Sequence, residues 1–511
     1  MEAKSAIDAD KALKESGGVL AHAKAITPAS ASRARTREGD GAEAGRTCFK
    51  TTAPNRLAGQ PRYPSNLSFF ATIHKYRASK KRDVSNLTAP RGTYDILPAQ
   101  SVRWQALETI IDASCARFGY GEIRTPVFES TDVFVRTIGE GTDIVDKEMY
   151  TFDDRAGRSL TLRPELTAPV VRAVLEHNLL QSVPLKLYYR GPFFRYERPQ
   201  KGRYRQAHQF GVECFGVAAP QVDAEVIALA LEVLSRSGIR ELTTELNSLG
   251  CPDCRPAYRA AMIDHFNRHA AELSETSRAR LLTNPLRILD SKDAADRALI
   301  EAAPNILDFL CAQCVAHFEG TQASLRAMDI AFVLNHRIVR GLDYYTRTVF
   351  EITSKSLGAQ SAVCGGGRYD GLVETMGGPP TPGVGFGMGM DRLLIVADAI
   401  GSVLGGNEYA LDVAFVALDD ASLAAIVPVV QATRTAGLRA DVDYTLRKMD
   451  KQVKAAAARG AAYAVIVGSD ELAAGEATLQ DLRTRERVRV PLAGAEREIA
   501  RRLENGMLHG T

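Results

Sequence analysis

Phe194-Arg195-Tyr196-Glu197-Arg198-Pro199-Gln200-Lys201-Gly202-Arg203-Tyr204-Arg205-Gln206 packs five cations and one glycine between two apolar runs. Extended backbone alternates its side chains, so Arg195 and Glu197 share one face while Phe194 and Tyr196 take the other. A guanidinium beside a carboxylate on a sheet suits a bidentate grip on phosphate or carboxylate. By itself the run also reads as a solvated basic hairpin. A second run, Gly383-Val384-Gly385-Phe386-Gly387-Met388-Gly389-Met390-Asp391-Arg392-Leu393, ends a glycine-rich strand on an arginine at a helix start. Glycine in a strand marks a place where a ligand or another backbone approaches closely. No Gly-Lys-Ser/Thr follows, so this is not a P-loop, and Gly365-Gly366-Gly367 lacks the pattern of a dinucleotide fingerprint.

The surroundings of both runs predict an antiparallel sheet with helices. Ser101–Phe118 reads as a helix with Val102, Ala106, Ile110 and Ala113 on one face. Strands are expected at Glu122–Phe128, Leu160–Leu162, Leu185–Arg190, Phe193–Glu197, His208–Phe215, Leu242–Ser248 and Val349–Ile352, with helices at Ala168–His177 and Ala224–Ser237. Between about 250 and 333 the chain turns Ala- and Arg-rich, as a helical module inserted into the sheet domain. After Gly405-Gly406, strands and helices alternate, which marks a small α/β domain. The expected organisation is a leader over 1–88, a sheet domain over 89–406 and a C-terminal domain over 408–511, an α+β protein.

Composition sets wider bounds. With 511 residues and 45% hydrophobic content the chain can bury sizeable cores. No stretch reaches the ~20 continuous apolar residues of a membrane span. Net charge is only +3, but residues 1–88 hold 16 Lys+Arg against 8 Asp+Glu, leaving 48 against 53 in the rest. A nucleic-acid partner must therefore be argued from local sites. The leader reads as a solvated tail or an early start; import into an organelle is the competing reading, against which its acids count. Eight cysteines suggest a reducing cytoplasm rather than a disulfide framework.

In this order, the helix at Ser101–Phe118 with Pro126, the run at Phe194–Arg198 and the run at Gly383–Leu393 resemble motifs 1, 2 and 3 of class II aminoacyl-tRNA synthetases. Arg340-Gly341-Leu342-Asp343-Tyr344-Tyr345 and Gly365-Gly366-Gly367-Arg368-Tyr369-Asp370-Gly371 resemble signatures of the histidyl-tRNA synthetase family. Thr161-Leu162-Arg163-Pro164-Glu165-Leu166-Thr167 resembles that family's amino-acid-binding turn. The resemblance runs from about 89 to 502.

It implies a homodimer that activates L-histidine with ATP and Mg²⁺ and transfers it to histidine tRNA. By resemblance, Glu165 and Thr167, in the turn with Leu166, take the α-ammonium and Gln209 bonds ammonium or carboxylate. Glu213 and Tyr345 face the two imidazole nitrogens, with Tyr344 lining the same slot. Read alone, Glu213 is equally an exposed strand residue. Arg195 and Arg340 bridge carboxylate and α-phosphate, Arg392 holds the γ-phosphate and covers adenine, and Glu197 accepts from the adenine amino group. Arg198, Gln200 and Arg203 meet the acceptor end of tRNA. Arg447, Lys448 and Lys451 could meet the anticodon arm, or form a solvated helix face. Two positions depart from the family: Ala207 replaces an aromatic that stacks on adenine, and Asp391 replaces a glutamate. A catalytically inactive synthetase-like regulatory subunit of ATP phosphoribosyltransferase is the rival reading; the Arg340–Tyr345 run and the C-terminal domain count against it.

Cys251-Pro252-Asp253-Cys254 and Cys311-Ala312-Gln313-Cys314 form a CxxC…CxxC pair, a pattern of structural zinc sites. Many family members lack these cysteines, so zinc here is expected to be structural.

Overall fold

The computed structural model describes residues 87–139, 142, 144–339, 342, 344–355, 362–402, 404 and 410–508. Nearly all of the leader and Arg340 lie outside the described residues. The first helix, α1 (Pro98–Arg117), starts on a proline that has no N–H to leave unpaired. It buries Val102, Trp104, Leu107, Ile111, Ser114 and Cys115. The face expected through Ala106, Ile110 and Ala113 is rotated: Trp104 supplies the largest apolar surface, and its i+3 and i+7 positions, Leu107 and Ile111, follow it inward.

The strand expected over Glu122–Phe128 is broken in two. β1 (Gly121–Glu122) pairs with the main sheet, and β2 (Phe128–Ser130) pairs with β4. Pro126 lies between them and lacks the donor a continuous strand would need. The short helix α2 (Thr131–Ile138), β3 (Tyr150–Asp153) and β4 (Ser159–Leu162) complete a small three-stranded sheet, and α3 (Thr167–Glu176) follows it.

β5 (Leu185–Phe194) and β6 (Gln206–Phe215) form a long antiparallel hairpin. Two strands were expected over the span of β5, but Pro192 sits within a single strand. That strand ends at Phe194, so Arg195 and Glu197 lie just beyond it. α4 (Pro220–Arg236) then leads to β7 (Leu242–Ser248). The inserted segment holds α5 (Arg255–Arg268), α6 (Glu275–Thr283), α7 (Arg297–Glu301) and α8 (Ala312–Ala327), before β8 (Val333–Leu334). The first three surround their own core of Tyr258, Met262, Phe266, Ile288 and Leu299. By contrast, α8 places Phe318 and Leu325 in the main core.

β9 (Thr346–Ser354), β10 (Ala362–Arg368), the short α9 (Leu372–Thr375), β11 (Gly383–Gly389) and α10 (Met390–Ala399) finish the unit. The large sheet has order β1-β5-β6-β11-β10-β9-β7-β8. Its six inner strands are antiparallel, and only the edge strands β1 and β8 pair in parallel. Alternation divides its faces. Phe210, Val212 and Cys214 of β6 pack with Leu107, Ile111, Val226, Ala230, Met388 and Leu393 in the helix-covered core. The opposite face carries Gln209 and Glu213, the residues between them in the two-residue repeat.

A buried ion pair pins this architecture. The Arg368 guanidinium, fully buried at the end of β10, donates from Nε and Nη2 to Asp223 of α4 and from Nη1 to Asp370 at 3.1 Å. His317 of α8 brings Nε2 within 3.5 Å of the same Asp223.

In the C-terminal region the sheet order is β13-β12-β14-β15-β16. β12 (Val413–Ala417), β13 (Ala440–Val442) and β14 (Tyr463–Val467) are parallel, while β15 (Glu476–Asp481) and β16 (Arg487–Pro491) extend the edge antiparallel. Helices α11 (Asp420–Thr435) and α12 (Met449–Ala458) supply the crossovers. Among the described residues no helix is long and apolar enough to cross a membrane.

Asp223→Ala leaves the Arg368 charge buried without its main partner and is expected to lower stability by about 3–5 kcal/mol. The double variant Asp223→Leu/Arg368→Met should recover much of that loss. Denaturant unfolding of both checks it; a loss below about 1 kcal/mol in the single variant contradicts the role of the pair.

Candidate active site

The polar face of the sheet opens into a cavity of about 460 Å³. Its wall includes Glu165, Thr167, Arg195, Glu197, Arg203, Gln209, Tyr344, Tyr345, Glu351 and Arg392. Glycines make the space. β11 runs beside β6 with Gly385 opposite Glu213, Gly387 opposite Gly211 and Gly389 opposite Gln209. A Cβ on Gly387 would stand 1.9 Å from Gln209 Nε2, and one on Gly385 would stand 2.0 Å from Glu213 Oε2. The bare face of β11 therefore lets these two side chains lie over it.

One region of the site is built from carboxylates and tyrosines. Glu165 is buried at the start of α3, where its carboxylate accepts from the backbone N–H of Thr167 at 2.7 Å and of Ala168 at 2.9 Å. Burial still pushes its pKa upward, against those two bonds. Each oxygen keeps a lone pair for a further donor. Glu213 is buried below the cavity wall, and burial pushes its carboxyl up to about 8. Its oxygens accept from the hydroxyls of Tyr189 (3.2 Å) and Tyr369. The rings of Tyr344 and Tyr345 lie 4.8 Å apart, and the Tyr369 ring stands 5.8 Å from Tyr344.

The other region is cationic. Arg392, in the first turn of α10, donates from Nε to the Gly202 carbonyl and from Nη1 to the Ala362 carbonyl, both at 3.1 Å. Burial holds its pKa below the usual value. Arg203 pairs with Glu197 at 3.5 Å. Arg195 donates Nε to the Pro164 carbonyl at 2.8 Å and rests its guanidinium on the Phe193 ring, 5.2 Å from the centroid. Its charge is felt by Glu165 on one side and by Arg392 on the other, so it stands at the junction of the two regions.

A family model described as histidyl-tRNA synthetase matches residues 92–393, and one described as an anticodon binding domain matches residues 412–502. The chain belongs to the histidyl-tRNA synthetase family. It is 48% identical over 408 residues to the histidine–tRNA ligase of Pelotomaculum thermopropionicum, spanning 80% of this chain and 96% of that one. It is 50% identical over 407 residues to the histidine–tRNA ligase of Geobacillus kaustophilus, spanning 79% and 95%. The crystal structure of apo histidyl-tRNA synthetase from S. aureus superposes with a TM-score of 0.68 at 36% identity, covering 81% of this chain and all of that one. These similarities establish the class II synthetase fold with its C-terminal anticodon-binding domain.

Within this family member, the structure brings Glu165, Thr167, Arg195, Glu197, Gln209, Tyr344, Tyr345 and Arg392 to one cavity. Leu166 is buried in the core beside it. Arg340 lies outside the described residues. Arg203, expected among the tRNA contacts, points a guanidinium at Glu197 on the cavity wall, whereas Arg198 and Gln200 are exposed on the hairpin. Asp391 accepts from the His208 backbone N–H at 2.6 Å and from the Tyr94 hydroxyl, so its carboxylate ties the start of α10 to β6. Ala207 lines the cavity directly opposite Phe193 in the hairpin register, and directly opposite residues share a face. An aromatic ring is thus present on the strand next to the missing one.

Tyr189, Tyr369, Phe193 and Glu351 were not assigned roles from the sequence. Tyr369 stands within the glycine-rich run quoted above, and its aromatic ring beside three glycines was the available signal. Arg287 and Asp290 of the inserted segment also line the cavity, and nothing in the sequence pointed to them.

The raised pKa of Glu213 has a stability consequence. The folded state retains its proton to about 8, while the unfolded chain releases it near the ordinary value of 4.5. Between those pH values the unfolded state binds fewer protons, so stability falls as pH rises. Glu213→Gln removes this titration. The melting-temperature difference, variant minus wild type, should grow from pH 5 to pH 8 in the ligand-free protein, and a pH-independent difference contradicts the burial of a titrating carboxyl.

Proposed function

We propose that the chain is a histidine–tRNA ligase that joins L-histidine to ATP as histidyl-adenylate and passes the acyl group to histidine tRNA. The position of Arg195, between the carboxylate–tyrosine region and the Arg392 region, carries this reading. Histidine fits the first region by its three polar groups: Glu165, Thr167 and Gln209 for the ammonium and carboxylate, and Glu213 with Tyr345 for the ring nitrogens. Tyr344 closes the slot, and Tyr189 and Tyr369 hold the Glu213 carboxylate. A rival side chain would leave buried polar groups unpaired, which supports discrimination by ~10⁴-fold or more.

ATP fits the second region. Arg392 holds the γ-phosphate and lies along adenine, Glu197 accepts from the adenine amino group, and Phe193 offers the ring that Ala207 lacks. The histidine carboxylate attacks the α-phosphorus and pyrophosphate departs. Arg195, aided by Arg340, screens the repulsion of two anions and stabilises charge on the phosphoryl oxygens. The carboxylate is already ionised at neutral pH, so this step needs no general base. The carboxylate of Glu351 on the cavity wall suits Mg²⁺, which when bound would neutralise phosphate charge.

In the second step the terminal ribose hydroxyl of tRNA attacks the acyl carbon and AMP leaves. Arg198 and Gln200, exposed on the hairpin, meet the acceptor end, and Arg203 links that hairpin to the nucleotide. In the C-terminal domain, Arg447, Lys448 and Lys451 are exposed and follow closely in sequence on Tyr444, which is 60% exposed. An exposed ring and exposed cations on one stretch of chain suit the unstacked bases of an anticodon loop. A homodimer is supported by exposed Val127 and Phe128, just after the motif 1 segment, and by exposed Phe152, whose ring lies 6.5 Å from that of Phe128. The free thiols among the described cysteines favour a cytoplasmic location. A zinc at the four cysteines would be structural, since none of them lines the cavity.

Histidine-dependent exchange between ATP and pyrophosphate tests the reading. Wild-type protein should exchange with histidine and with no other amino acid. Arg195→Ala should lose about 10²–10³-fold in kcat, the effect of one preorganised donor. Absence of exchange in folded wild-type protein would sink the proposal. Separately, Tyr444→Ala should leave exchange unchanged while raising the KM for tRNA in aminoacylation; equal loss in both assays contradicts the anticodon assignment.

A further inference from the structure

The inserted segment begins at a cluster that takes no part in the chemistry above. Cys251, Cys254, Cys311 and Cys314 bring their four Sγ atoms within 4.8 Å of one another. Cys251 Sγ lies 3.6 Å from Cys254 Sγ and 4.0 Å from Cys311 Sγ. Four thiolates around a tetrahedral zinc, each about 2.3 Å from the ion, stand about 3.8 Å apart. A disulfide requires about 2.05 Å. The spacing is that of a shared ion and not of paired sulfurs.

The backbone is shaped to the same end. The Cys254 N–H returns to the Cys251 carbonyl at 3.0 Å, closing a tight turn, and the Cys311 N–H points at Cys254 Sγ at 3.1 Å. Gly250, with φ +63°, turns the chain into the first knuckle, where a Cβ would stand 2.7 Å from Cys254 Cβ. Cys254 and Cys314 are buried, and Cys251 and Cys311 are half-exposed, so an ion can enter from one side.

This knuckle is tied directly to the amino-acid slot. The Leu249 N–H donates to the Arg347 carbonyl at 2.7 Å, and the Arg347 N–H donates to the Gly250 carbonyl at 2.8 Å. Arg255, the residue after Cys254, donates its guanidinium to the Tyr345 carbonyl. Both sides of the knuckle therefore grip residues 345–347, the segment that delivers Tyr345 to the cavity.

We propose that the four cysteines bind one zinc ion as thiolates, and that the ion holds the Tyr344–Tyr345 segment in its histidine-binding position. The cysteines are positioning residues: the ion fixes the knuckle, and the knuckle fixes the loop. The second part rests on the histidine-binding reading above; the first does not.

Metal analysis of protein purified under reducing conditions separates the two. One zinc per chain is expected, with the four thiols protected from a thiol reagent until a chelator is added. Zinc-free protein that takes up no added Zn²⁺ and whose four thiols react freely overturns the site. Cys251→Ser/Cys311→Ser, which alters only the half-exposed pair, should lose the zinc and raise the KM for histidine roughly ten- to a hundredfold, as for a displaced binding group, with the KM for ATP little changed. Zinc loss with an unaltered histidine KM, or with both KM values raised equally, overturns the positioning role while leaving the metal site in place. If the double variant fails to fold, Arg255→Met, which keeps all four thiols, should retain zinc and still raise the histidine KM; an unaltered KM there also counts against positioning.

Discussion

One face of β11 carries no side chains, and the site depends on that. Gly383, Gly385, Gly387 and Gly389 recur at every second residue, so their missing Cβ atoms line up on a single side of the sheet. The volume they vacate is filled by Glu213, by Gln209 and by the Tyr369 ring, which a Cβ on Gly383 would meet at 2.4 Å. The other face of the same strand shows Val384, Phe386 and Met388 to the core. The strand is thus anchored by packing on one side and is bare on the other. Side chains at Gly385 and Gly387 would push Glu213 and Gln209 off the floor of the cavity.

The functional groups are held before any ligand arrives. Glu165 is fixed by two backbone N–H groups, Glu213 by two tyrosine hydroxyls, and Arg195 by the Pro164 carbonyl. Each of these groups uses part of its bonding capacity to stay in place and leaves part for a substrate. Holding the groups in advance reduces the reorganisation needed at the moment of reaction. The cost appears in Glu213, a carboxyl kept from water and raised to about 8.

Much of this was legible in the sequence, because the elements that build the site are strongly patterned. The glycine-rich run does form a strand, over Gly383–Gly389, and β6 and α4 follow their apolar periodicity. Local pattern failed where tertiary packing decides. The buried face of α1 turned toward Trp104, since a bulky ring outweighs small residues in choosing a side. Arg195 and Glu197 do reach one cavity, but from beyond the strand end and not by strand alternation. Tyr189 gave no signal of its own, because one tyrosine in a strand looks like any other until the Glu213 carboxylate is seen against its hydroxyl. Arg287 and Asp290 were hidden for a different reason: which side of a helical insertion meets the sheet depends on contacts distant in sequence.

The bond from Arg392 Nε to the Gly202 carbonyl joins the helix after β11 to the tip of the basic hairpin. A phosphate oxygen that took the Nε donor, as the proposed nucleotide site allows, would displace that carbonyl. Any ligand that draws the guanidinium away loosens the hairpin tip, and any partner that pulls the tip outward releases the guanidinium. Such a shared donor makes the two occupancies thermodynamically linked, and the linkage must be equal in both directions. On the proposed assignments, a nucleic acid on the hairpin and a nucleotide on the arginine would be linked through this one backbone oxygen.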